Sequence, residues 1–374
     1  MRVRWRRRGA LSSCVVAIAI LAAACAEEGP GEERPNVDVI GGGGSVSVSG
    51  VVEGYGELLY EPSTDQAANL AIGLDLRDVR ELMSAAAGNR PVDWPAVTAI
   101  YEGGRNQTLS NGSIRSLAAL AQEELPEVFP NGVAVFGRDD FIDGIIRDAL
   151  MGAGRATGLG DNARRQIVDR GVQMLEYGHG MQHLAEAQRL MAAGSASEAA
   201  AEIDAAWATV TGAREESTTP NHGILATGLA REEDFLLHGQ IARPLESYLY
   251  RALVATQQGN LEEFEEAVAT SRSFANTIFY LSVLRDARVL AGDSRVSDRQ
   301  THLAEGWTFF EAIRPQVAAA SPEAAALVEE AFTRSAEEAF PADLTEEVYA
   351  ALNEPAVLEA LGIPEEFQFT SPAQ

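Results

Sequence analysis

Residues 160–194 read GDNARRQIVDRGVQMLEYGHGMQHLAEAQRLMAAG, the longest unbroken helical pattern in the chain. Asp161 is a cap-type residue at its start, and Gly194 is a stop residue at its end. One helix over this span sets the class of everything around it. The flanking text reads the same way. Asp93 is placed to cap a helix in WPAVTAIYEGG (94–104). NGSIRSLAALAQEEL (111–125) opens on the cap-type residues Asn111 and Ser113 and stops before Pro126. GRDDFIDGIIRDALMGAG (137–154) ends in glycine, and SASEAAAEIDAAWATVTG (195–212) follows the long helix after a short turn.

Further on, AREESTTPNHGILATG (213–228) reads as the longest loop. Helices are expected over about 230–257 and 260–291. Others are expected in SDRQTHLAEGWTFFEAIRPQVAAA (297–320), SPEAAALVEEAFTRSAEEAF (321–340) and TEEVYAALNEPAVLEALG (345–362). The fold class is therefore all-α, an antiparallel helical bundle with short connections. A faint echo links AEIDAAWATVTGAR (201–214) to HLAEGWTFFEAIRP (302–315), each with a carboxylate just before a tryptophan, Trp207 and Trp307. It leaves open two related bundles, 66–194 and 195–340, packed together.

The N-terminus reads as processed rather than folded. MRVRWRRRGA is a basic leader, CVVAIAILAAA is a short apolar run, and small residues lead into Cys25. The run is shorter than the roughly 20 residues a spanning helix needs. LAAAC resembles the lipobox of bacterial lipoproteins, which makes residues 1–24 a signal peptide and Cys25 the lipidated first residue. Residues 25–50 are then a flexible Gly-, Glu- and Pro-rich linker, and 51–374 the helical domain. SVSVSGVVEGY (45–55) offers one short strand. With Cys14 removed, no cysteine is left for disulfides, thiolate zinc sites or nucleophilic catalysis.

The formal charge is −26, and all 29 basic residues are arginine. An acidic surface of this size excludes nucleic acid as a partner, because phosphates need a basic footprint. It is compatible with attracting cations, and equally with plain solubility.

Two of the five histidines stand four residues apart in EYGHGMQH (176–183). Glu176, His179 and His183 share one helical face, and Glu-x-x-His is the unit of carboxylate-bridged metal sites in bundles. Imidazole suits iron, copper or zinc, and carboxylates suit harder ions. Gly178 and Gly180 weaken the helix by about 1 kcal/mol each relative to alanine, so something must approach closely there. The plain alternative is a polar face with helix packing at the glycines. His302 and Glu305 repeat the pairing in reverse, and Asp204 is the corresponding carboxylate before Trp207. Tyr101 and Glu102 end one helix, and Arg115 begins another. A phenolate, a carboxylate and an anion held by arginine at a helix N-terminus would together suit a hard trivalent ion. His222 and His238 read as solvated loop residues. No nucleophile elbow, phosphate-cradling loop or His-Glu-x-x-His protease motif occurs, so a binder is expected rather than an enzyme.

AIYEGGRN (99–106), GSIRSLA (112–118), GVQMLEYGHGMQHLAEA (171–187), IDAAWA (203–208), NTIFYLSVLRDA (276–287) and HLAEGWTFFEAIRP (302–315) occur here in one order. In these segments the chain resembles the low-iron-inducible periplasmic protein family, the Fe-assimilating family of algae with bacterial members. It departs from that pattern at Ala205, where a second carboxylate is expected, and its histidine falls on His183. The lipobox, with no aspartate after Cys25, points to a lipid-anchored protein of the periplasm or cell surface on the outer membrane, and the resemblance implies that it captures ferric iron. It further implies a synergistic carbonate, as in the related algal phytotransferrins; an iron transporter is the expected partner, and no docking element for one is recognisable in the sequence. Three other readings stay open: a ferroxidase-like bundle metalloenzyme, an imelysin-like metal-linked surface protein, and a metal-free helical interaction lipoprotein.

Overall fold

A computed structural model describes residues 60–88, 90–129, 132–213 and 222–370. Cys25, the signal segment, the linker and the short strand expected at 45–55 lie outside the described residues. Within them the protein is all-α, as its periodicity requires. The helices are α1 (Ala67–Met83), α2 (Trp94–Gly103), α3 (Leu117–Ala121), α4 (Gly132–Phe136), α5 (Phe141–Met151), α6 (Asp161–Ala192) and α7 (Ala196–Thr211). They continue as α8 (Ile224–Asp234), α9 (Ala242–Gln258), α10 (Leu261–Leu290), α11 (Val296–Ala320), α12 (Pro322–Thr333), α13 (Ala342–Leu352) and α14 (Pro355–Leu361). No helix among the described residues is long and apolar enough to cross a membrane.

The three long helices α6, α10 and α11 form the centre. α6 packs against α7 and α11, and α10 packs against α9 and α11. α6 is buried on every side from Gly171 to Met181, as a helix enclosed by others must be. The described residues form one compact unit. The helix closing the span 66–194 therefore shares its core with helices of the span 195–340.

Local chemistry sets the ends. Asp93 caps α2 by accepting from the Ala96 N–H, as expected. Asp161 does not cap α6. Gly160 holds that position, and the Asp161 carboxylate accepts from Val92 N–H and Trp94 Nε1–H, tying the start of α2 to α6. The helix expected from Asn111 begins only at Leu117 and ends at Ala121. Asn111 instead takes the Ser113 N–H and hydroxyl into an Asx-type turn beside a Thr108–Ile114 bridge, which diverts the backbone from helix. The loop read at 213–228 is shorter than expected, because α8 starts at Ile224. Between α8 and α9 the chain turns with Leu236 and His238 at positive φ, and Glu232 accepts the N–H groups of Gly239, Ile241 and Ala242.

Candidate metal centre

α10 and α11 are joined by a short turn, so they run antiparallel and bring Asp286 beside His302 and Glu305. Each offers one ligand atom, and the three lie within 4.8 Å of one another. His302 Nδ1 is 3.5 Å from Asp286 Oδ1 and 3.7 Å from Glu305 Oε2. Its Nε2 is 4.0 Å from Asp293 Oδ2, in the turn. The Asp286 and Glu305 side chains are buried and that of His302 is 19% exposed, so solvent reaches the cluster through the imidazole.

Two arginines enter the cluster. Arg170 of α6 donates to Glu305 Oε1 through Nε (3.0 Å) and Nη2 (2.6 Å). Arg285 Nη1 lies 2.5 Å from Asp286 Oδ1, 3.2 Å from His302 Nδ1 and 3.5 Å from Glu305 Oε2. A positive atom thus sits among the same three groups that would hold a cation. One acceptor stays open even so: Asp286 Oδ2 is buried with no hydrogen-bond partner, as is Asp293 Oδ2.

The charges follow from these contacts. Burial alone would raise Glu305, but Arg170, then His302 and Arg285, hold it well below the usual carboxylate range. Burial raises Asp286, and the adjacent Glu305 charge adds to that. Burial works against His302, but hydrogen bonding to Asp286 and Glu305 outweighs it and pushes the imidazole up to about 9. A cation entering here must displace a proton from His302.

The other expected ligands fall elsewhere. His183 lies about 20 Å further along α6 than Arg170, at 1.5 Å per residue. There its Nδ1 is 2.6 Å from Glu202 Oε2 in a half-exposed pair. His179 Nε2 donates to the Leu120 carbonyl at 3.0 Å, and burial pushes its imidazole down to about 4. Glu176 is fully buried with neither oxygen hydrogen-bonded, and burial raises it well above the ordinary value. Gly178 and Gly180 make room for protein, not for a ligand: a Cβ would meet Leu125 and Phe129 at the first and Val210 at the second. Asp204 is saturated, accepting from the Tyr60 hydroxyl (2.8 Å), Ser63 N–H and hydroxyl (2.8 and 2.7 Å), and Thr64 hydroxyl (2.8 Å).

The expected phenolate–carboxylate–anion pocket does not form. Tyr101 donates to Asp143 at 2.8 Å, and burial, then the Asp143 charge, holds the phenol protonated. Glu102 pairs with Arg147. Arg115 precedes α3 rather than lying in its first turn, and it donates to Gln107 Oε1, Asn69 Oδ1 and the Ala68 carbonyl. His222 is buried, not solvated, with Nε2 unpartnered, whereas His238 is exposed.

Sequence reasoning missed Asp286, Asp293, Arg170 and Arg285. A signal for Asp286 was present. With Phe279, Val283 and Leu290 it makes a stripe at spacings of four, three and four, where a carboxylate stands among apolar residues. Compared with family models, curated proteins and solved structures, the chain matches none.

Proposed function

We propose that this protein captures a metal cation between α10 and α11, with Asp286, His302 and Glu305 as ligands. One observation carries the reading: three donors meet within 4.8 Å. The unpartnered Asp286 Oδ2 fits it, because a buried carboxylate oxygen without a donor is what a cation would satisfy. One imidazole and two carboxylates match a borderline-to-hard ion. The ion would displace the Arg285 guanidinium from the centre of the cluster.

The finer reading is that the ion is iron, taken up by an exported, lipid-anchored member of the Fe-assimilating family. Its support is the ordered set of resembling segments, two of which, NTIFYLSVLRDA and HLAEGWTFFEAIRP, contain all three ligands. Binding and release of a single ion need no further group, so a binder is preferred to an oxidase.

The test is metal content and calorimetric titration of the chelator-stripped chain with Fe(III) supplied as its citrate complex, and with Fe(II), Mn(II) and Zn(II). One ion per chain is expected, and the double variant D286N/H302A should lose it. Stoichiometric binding that survives that variant overturns the site. Tight Zn(II) or Mn(II) binding with none of iron overturns the choice of ion.

A further inference from the structure

Away from the metal cluster, a cavity of about 350 Å³ opens between α5, α6, α11 and α12. A second one, of about 180 Å³, shares Arg155, Ile167, Trp307 and Thr333 with it, so the two adjoin. The larger one lies within the volume range of small-molecule sites.

Its walls carry two arginine–aromatic pairs. The Arg155 guanidinium sits 5.5 Å from the Trp307 ring centre, and that of Arg314 sits 5.6 Å from the Phe136 ring centre. Cation–π contact holds a guanidinium by its face and leaves the N–H edges free to donate. The two arginines differ in what else they touch. Arg314 is neutralised by Glu311 (3.2 Å) and Glu329 (2.6 Å). Arg155 donates to the Phe332 carbonyl at 2.9 Å, and among the described residues its guanidinium forms no ion pair within 4.0 Å. In a chain of charge −26, an arginine without a paired carboxylate inside an aromatic-walled cavity is matched to an anion brought from outside. The carboxylates on the wall, Asp148, Glu311 and Glu329, oppose anions and multiply charged ones most, and burial pushes Glu311 up to about 7, which lessens its share.

We infer that this cavity binds a small aromatic monocarboxylate, with Arg155 gripping the carboxylate and the ring lying against Trp307. None of the three proposed metal ligands lines either cavity.

Calorimetric titration of the full chain with 2-naphthoate, and with 2-naphthamide as its neutral isostere, tests this. Saturable one-to-one binding of naphthoate is expected, with the amide weaker by about tenfold or more, the usual worth of a charge-assisted pair. R155M should weaken naphthoate by about tenfold, and R155K should do nearly as much because the planar fork is lost. D286N/H302A should leave naphthoate binding intact. Equal affinity for acid and amide, unchanged binding in both Arg155 variants with native circular dichroism, or no saturable binding by the wild type would each overturn the proposal.

Discussion

His302 with Glu305 on α11 and His179 with Glu176 on α6 are the same two residue types at the same helical spacing. The fold treats them in opposite ways. His302 faces Asp286 and Glu305, and its imidazole is pushed up to about 9. His179 is buried with the Leu120 carbonyl at Nε2 and the half-exposed Glu123 carboxylate 3.9 Å from Nδ1, and burial still pushes it down to about 4. Glu305 meets Arg170 and is held low, whereas Glu176 has no hydrogen-bond donor and is driven high. Spacing on one helix sets which side chains are neighbours. The charges arriving from other helices decide whether those neighbours form a charged cluster or a neutral interior.

The sharpest way to break this contrast is at Arg285. R285Q removes a cation from a buried charge cluster, which costs about 3 kcal/mol or more of stability in the metal-free protein. The same change removes the competitor for the three ligands, so metal affinity should rise. Urea unfolding without metal and calorimetry with it read the two effects. Lost stability with no gain in binding would make the cluster an ion-pair network only.

Next comes pH, where the two histidines have opposite signs. The His302 value lies above an unfolded one of about 6.5, so its stabilisation is complete below that and fades as pH rises through about 9. The His179 value lies below it, so its contribution is complete above about 6.5 and fades as pH falls toward about 4. Each shift corresponds to about 3 kcal/mol at most. In chelator, the urea midpoints of wild type and H302Q should converge between about pH 7 and 9. Those of wild type and H179Q should converge between about pH 7 and 4. Parallel behaviour of the two variants would show that their surroundings do not differ.

The glycines beside each pair come next. A Cβ at Gly306 would stand 2.1 to 2.7 Å from three Phe332 ring atoms, while one at Gly178 meets Leu125 Cδ1 at 2.7 Å and Phe129 at 3.1 Å. G306A should lower stability by about 3 kcal/mol and G178A by about 1, since the end of a leucine yields more readily than a ring. Similar thermal shifts would mean that Phe332 can move aside. The smallest effect is expected at Glu176. A neutral carboxyl is mimicked by an amide, so E176Q should leave urea stability at neutral pH unchanged or slightly raised. A clear loss would reveal an ionised Glu176 with a partner.

The helical class and most helix positions were legible, because apolar periodicity and the Asp93 cap act locally. The helix expected from Asn111 was not, since side-chain hydrogen bonding to the local backbone outweighed propensity there. His302 and Glu305 could be picked out because both lie on one helix. Asp286 needed its place on the buried stripe to be noticed. Arg170 could not be placed at all, because its meeting with Glu305 depends on how α6 crosses α11. The partner of His183 could not be read for the same reason: Glu202 lies on α7.

Asp204 holds Tyr60, Ser63 and Thr64, and the Tyr60 ring stacks on Trp207 at 4.6 Å. Any tension transmitted along the chain from upstream of residue 60 therefore enters the body at α7. It would load that helix in shear before it reached α10 or α11. The first contacts to carry such strain lie on α7, not on the two helices that hold the Asp286, His302 and Glu305 cluster.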